Sequence, residues 1–84
     1  MEELFNSAID HHARGQLQQA ETLYKKILKK QPDHPDVLHL IGLVEYQLGK
    51  FESAIKFIEK AINVNPDVPD YYNNCGEAYR ASKR

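Results

Sequence analysis

Gln31-Pro32-Asp33-His34-Pro35-Asp36 and Asn65-Pro66-Asp67-Val68-Pro69-Asp70 are one connector written twice, 34 residues apart. Neither copy can continue a helix. A proline disfavours helical geometry in the residue before it and is tolerated within a helix only in the first turn. Each connector therefore ends one helix and begins another. In the first copy Asp33 is placed to cap the following helix, and Asp36 lies near its positive end.

Outward from the connectors the same register holds. Gly15, Ala20, Pro32, Pro35 and Asp36 recur as Gly49, Ala54, Pro66, Pro69 and Asp70. Leu4, Lys26, Asp33 and Gly42 recur as Leu38, Lys60, Asp67 and Gly76. A helical unit that returns at fixed spacing cannot bury its apolar face alone. It buries that face by stacking on a neighbour, and such stacks bind other proteins.

Apolar spacing and stop signals predict five helices. The first spans about Glu2 to Ala13 and ends at Gly15, a residue suited to the left-handed conformation. The second, about Leu17 to Lys30, presents Leu17, Ala20, Leu23, Tyr24, Ile27 and Leu28. Its last turns carry Lys25, Lys26, Lys29 and Lys30, where cations oppose the helix dipole favourably. The third, about Asp36 to Leu48, is apolar almost all round, the pattern of the most enclosed element. The fourth runs from about Phe51 to Val64. The fifth starts near Asp70, with Tyr71, Tyr72, Cys75, Ala78 and Tyr79 on one side.

Composition narrows the classes of function. Eighty-four residues form one small domain near the lower limit for an unstapled core. A net charge of −1 sets up no global field to draw in nucleic acid or an anionic membrane. Cys75 is the only cysteine, which excludes an intramolecular disulfide and a cysteine-based zinc site. The first residues lack the basic segment and apolar run of a secretory signal, and no apolar run is long enough to span a bilayer. On these grounds the chain is expected to be cytoplasmic.

With its small residues at Ala8, Gly42 and Gly76, its alanines at Ala20 and Ala54 and its prolines at Pro32 and Pro66, the chain resembles the tetratricopeptide repeat. Leu17/Phe51 and Tyr24/Ile58 fill the large apolar positions. Ala8 stands where glycine is more typical, His11 and Glu45 where an aromatic is common, and Ile27 where a small residue is usual. The resemblance implies an all-α, right-handed solenoid of antiparallel helix hairpins forming a single domain. Repeat 1 would cover 1–34, repeat 2 35–68, and a partial repeat or capping helix 69–84. In such a stack Gly42 and Gly76 allow close helix approach, while Ala20 and Ala54 leave no room for a larger side chain. A narrower resemblance is carried by the string Ala-x-x-His-His-x-x-Gly-x-Leu-x-x-Ala-Glu from Ala8 to Glu21. It is similar to the first repeats of bacterial proteins whose tetratricopeptide array precedes a glycosyltransferase-like domain.

In the resembling family the first helices of each repeat line a concave groove. The matching positions are Glu2, Phe5, Asn6, Ile9 and His12, then Asp36, His39, Leu40, Leu43 and Tyr46, then Asp70, Asn73, Asn74, Glu77 and Arg80. Among these, Phe5, Asn6, Ile9, His12, His39, Leu40, Leu43, Tyr46, Asn73, Asn74 and Glu77 are the candidate peptide-binding residues. The apolar members exceed what a solvated inner wall requires, so the groove either takes a peptide with apolar anchors or closes on itself or on a second copy. Asn73 and Asn74 could bond a peptide backbone or merely keep an end helix hydrated.

Other chemistries fit less well. The clamp by which some tetratricopeptide domains hold a chaperone's C-terminal carboxylate would fall on Phe5, Ile9, Leu40, Asp70 and Asn74, which supply no positive charge. Adjacent His11 and His12 point about 100° apart on a helix, and no third ligand accompanies them or the pair His34 and His39, so no metal or cofactor is expected. Ser7, Ser53 and Ser82 lack a base and an orienting acid. The lysines of the second helix are interrupted by Glu21 and Tyr24 and lack stacking aromatics, as a solvated face would. Cys75 reads as a small core filler. The resulting expectation is a non-enzymatic protein-binding module or scaffold that self-associates at high concentration. Its rivals are a docking or substrate-recruiting arm of a larger transferase-type enzyme and a self-association unit. The partner's identity is not legible in the residues.

Overall fold

The computed structural model describes residues 2–83, which form five α-helices and no strand. They are α1 (Glu2–Ala13), α2 (Leu17–Lys30), α3 (Pro35–Gln47), α4 (Phe51–Val64) and α5 (Pro69–Lys83). Loops this short fold each helix back on its predecessor. Each helix packs on the next, and α3 also touches α5, giving a helical-hairpin solenoid of 35 × 26 × 18 Å.

The loop within each hairpin closes in the same way twice. Gly15 and Gly49 adopt φ of 77° and 81°, a left-handed conformation that costs a residue with a Cβ considerably more. That turn lets Gly15 N–H reach the His12 carbonyl (3.1 Å) and Gln16 N–H the His11 carbonyl (2.9 Å). Gly49 and Lys50 repeat it on Tyr46 (3.0 Å) and Glu45 (2.8 Å). Two otherwise orphaned carbonyls at each helix end are thereby satisfied.

The connectors behave slightly differently from expectation. α3 and α5 begin at Pro35 and Pro69, one residue earlier than Asp36 and Asp70, because the first helical position needs no N–H and suits proline's fixed φ. α3 also ends one residue early, with Leu48 as its C-cap. His34 replaces Asp33 as the cap: its Nδ1 accepts from Val37 N–H at 3.3 Å. An imidazole nitrogen two bonds from Cβ reaches that donor as a carboxylate would.

The interior divides into three clusters along the stack. Ala8, Ala20, Tyr24, Ile27, Val37, Ile41 and Val44 join repeat 1 to α3. Leu38, Ile58, Ala61, Tyr71 and Cys75 join α3 and α4 to α5, and Ala54, Ile55 and Ala78 finish the far end. α3 faces neighbours on both sides, which is why it alternates so little between apolar and polar. Gly42 lies at its tightest contact: a Cβ there would sit 2.5 Å from Ile58 Cγ1 and 3.3 Å from the Ala54 carbonyl. Gly76 is a correction to the expected pattern. A Cβ there would meet only the Arg80 guanidinium, at 4.0 Å, so no neighbouring helix approaches it closely among the described residues.

Two polar features complete the packing. Tyr72 and Tyr79 remain 49% and 45% exposed, but their hydroxyls return to the Pro66 carbonyl (2.9 Å) and to Glu59. Glu45, where an aromatic is common, is only 2% exposed at the seam of α2, α3 and α4. Ser53 Oγ donates to its Oε1 at 2.7 Å, while Oε2 has no partner as a carboxylate oxygen. Burial, then a hydrogen bond to the adjacent Glu21 carboxylate, holds the Glu45 carboxyl above its ordinary value and favours the protonated form in which Oε2 donates to Glu21. Glu21 is held low chiefly by that hydrogen bond, helped by Lys50 (3.1 Å) and Lys25 (3.8 Å). No helix among the described residues is long and apolar enough to cross a membrane.

Candidate protein-binding groove

The 34-residue repeat places α1, α3 and α5 side by side, and polar side chains cross between them at a constant sequence separation of 35 residues. His12 Nε2 donates to Gln47 Oε1 (2.7 Å), Tyr71 OH donates to Asp36 Oδ1 (2.8 Å), and Asn74 Nδ2 donates to His39 Nε2 (2.8 Å). One repeat plus one residue is the offset at which side chains of adjacent first helices meet. These rungs tie the inner wall together and fix the orientation of the groups that line it.

Each rung has a defined polarity. The Tyr24 hydroxyl, in the core, lies 3.4 Å from His12 Nδ1 and donates to it, which leaves the Nε2 proton for Gln47. Tyr24 itself is pushed up to about 12 by burial. Burial lowers the His39 pKa, against the opposing pull of Asp70 and Asp36, so its ring is neutral at pH 7. A neutral ring with the proton on Nδ1 is the form able to accept from Asn74. His39 also lies 4.7 Å from the Tyr71 ring. Burial, then the bond to Asp36, raises Tyr71 to about 12.

Between the rungs opens a cleft of about 370 Å³ lined by His12, Leu43, Tyr46, Gln47, Asn74 and Glu77. Leu43 and Tyr46 form its apolar wall, and Tyr46 is held edge-on against Phe51 with ring centres 5.5 Å apart. Of the sequence-derived candidates, His12, Leu43, Tyr46, Asn74 and Glu77 are brought together here, and His39 joins through Asn74. Asn6, Ile9 and Asn73 are exposed. Leu40 packs against the first interior cluster. Phe5 stacks on His34 (6.1 Å), lining a separate depression of about 240 Å³ with Glu2, Ile27 and Gln31. Gln47 and Tyr71 are absent from the sequence-derived groove candidates. Their signal was a polar partner 35 residues away from His12 and from Asp36.

Charge is divided between the two faces. Apart from Glu45, buried at the seam with α2 and α4, the groove helices α1, α3 and α5 carry Glu2, Glu3, Asp10, Asp36, Asp70 and Glu77 against only Arg80 and Lys83. The outer helices α2 and α4 carry Lys25, Lys26, Lys29, Lys30, Lys56 and Lys60, all exposed, against Glu21, Glu52 and Glu59. A net charge of −1 thus conceals acidic groove helices, with Glu77 on the cleft itself, and basic outer ones. Among the described residues no three His, Cys, Asp or Glu side chains gather closely enough to hold a metal ion.

Comparison with known proteins agrees with this architecture. The chain is 29% identical over 68 residues to human tetratricopeptide repeat protein 7B, which covers 81% of the chain and 8% of that protein. It is 30% identical over 80 residues to an N-terminal acetyltransferase A complex subunit-like protein of Schizosaccharomyces pombe, which covers 95% of the chain and 12% of that protein. The chain therefore spans about a tenth of the length of the curated relatives it matches. The tetratricopeptide repeat profile matches residues 11–74. Its helix order, its repeated glycine turns and that match place the chain in the tetratricopeptide repeat family, whose repeats typically mediate protein–protein interaction.

Proposed function

We propose that the chain is a non-enzymatic binding module, two full repeats and a closing helix acting as one domain, that takes a peptide segment of a partner protein along its inner face. The cleft between α1, α3 and α5 carries this reading: Leu43 and Tyr46 offer an apolar seat, while Gln47 and Asn74 hold amides beside it. An apolar pocket with a few oriented polar groups is the usual form of a specific binding site. In this reading the amide of Asn73, exposed on α5, bonds the peptide backbone.

Leu43→Ser is the informative variant. Leu43 lines the cleft but belongs to none of the three interior clusters, unlike Leu40, whose replacement would also loosen the core. Random peptides displayed on phage and selected on the protein should yield binders that L43S loses, with its thermal melt close to that of the parent. Binders indifferent to L43S would refute the groove reading. A second reading, a recruiting arm of a larger transferase-type enzyme, draws on the similarity to an acetyltransferase complex subunit-like protein. Co-purification with a transferase subunit through the same cleft would support it.

A further inference from the structure

We infer that the peptide taken by the groove is cationic: a segment of a partner protein with Lys or Arg side chains flanking one large aliphatic or aromatic anchor. This rests on the groove reading and adds the chemistry of the occupant. The anchor is dictated by Leu43 and Tyr46, which leave an apolar wall open to solvent on the inner face. The flanking charge is dictated by Glu77, which lines the cleft, and by Asp36 and Asp70 in the first turns of the groove helices α3 and α5.

Helix dipoles account for part of the acidity, because Asp36 and Asp70 lie in the first turns of α3 and α5. They do not account for Glu77, which lies well beyond the first turn of α5 and lines the cleft itself. Glu77 pairs with Arg80 at 2.8 Å, but both side chains are more than half exposed. Such a pair is weak and exchanges readily for an incoming cation. Asp36 and Asp70 both act on His39, whose ring is neutral, so the histidine beside them does not cancel their charge. The exposed lysines lie on α2 and α4, which contribute no residue to the cleft. A cationic segment would meet attraction at the groove and repulsion over the outer helices, which steers encounter to the inner wall. An acidic segment would meet the reverse.

The test is the sequence composition of peptides selected from a random display library, on the parent, on L43S and on the charge-neutralised variant D36N/D70N/E77Q. The pool that L43S loses should be rich in Lys or Arg beside Leu, Met, Phe or Trp. Its members, made as labelled peptides, should bind the neutralised variant at least tenfold more weakly. Raising salt from about 0.1 M to about 1 M, which shortens the screening length from about 10 Å to about 3 Å, should weaken parent binding similarly. An L43S-sensitive pool that is neutral or acidic would overturn the cationic occupant while leaving the groove reading intact. The absence of any L43S-sensitive pool would overturn both. Light scattering supplies the remaining arm. Salt-sensitive self-association abolished by E77Q would make the lysine face of a second copy the occupant, and would also overturn the proposal.

Discussion

Gly42→Ala and Gly76→Ala make the same chemical change on equivalent positions of two helices, and the structure gives them opposite outcomes. Replacing glycine by alanine inside a helix gains about 0.8–1 kcal/mol of propensity at either site. At Gly76 a methyl group meets only the mobile end of Arg80 at 4.0 Å, so the gain survives. At Gly42 the methyl lands 2.5 Å from Ile58 Cγ1 and 3.1 Å from Ile58 Cδ1, with the Ala54 carbonyl 3.3 Å away. Ile58 cannot swing aside. It is 1% exposed and enclosed by Leu38, Ala61, Tyr71 and Cys75. Either α3 and α4 must separate or Ile58 must leave its rotamer, and overpacking of this kind costs about 1–3 kcal/mol. The propensity gain cancels between the variants, leaving G42A below G76A by that same amount. For a domain of this size each kcal/mol moves the midpoint by about 4–8 °C, so the two melts should lie roughly 4–24 °C apart. Calorimetry supported by urea denaturation measures it. If G42A melted together with G76A or above it, the close contact of α3 on α4 would be wrong.

Three further outcomes follow from individual side chains. The raised Glu45 pKa contributes stability that is full below the ordinary glutamate value of 4.5 and lost as pH climbs through the raised one. Glu21, held low, contributes stability above 4.5 that is lost as pH falls through its lowered value. Glu45→Gln, whose amide can donate to Glu21 at every pH, should abolish the decline in urea midpoint above pH 4.5; an unchanged decline would discard the shared-proton arrangement. Tyr71→Phe removes the 2.8 Å bond to Asp36 and should cost about 0.5–1.5 kcal/mol by denaturation, and an unaffected midpoint would mean that rung contributes nothing. Cys75 is buried, and burial together with Glu59 raises its thiol pKa, so a thiol reagent should modify it only at the rate of unfolding. Rapid modification of the folded protein would contradict its place in the second cluster.

Much of the groove was legible because repeat spacing is geometric. Positions 34 residues apart take equivalent places, so the register, together with the concave wall that the resemblance implies, led to Leu43, Tyr46 and Glu77, which line the cleft. What escaped was anything set by contact between units. His34 displaced Asp33 as the cap because the backbone direction at the connector brings the imidazole to Val37 N–H. Phe5 shares the register of His39 and Asn73, yet it stacks on His34 of the first connector rather than joining the cleft. Leu40 shares the register of Asn6 and Asn74, yet it packs inward because α3 has a helix on either side.

The amino-acid sequence alone determined the number and order of helices, their hairpin turns and the face each presents, since these follow from proline, left-handed glycine and apolar periodicity acting over a few residues. Only the tertiary structure decided which glycine lies at a close helix contact, which carboxyl holds its proton more tightly and which side chains bridge helices to line a cleft. Those properties depend on distances between residues 12 to 35 positions apart, and a steric clash, a desolvated charge or a hydrogen bond changes steeply over less than an ångström.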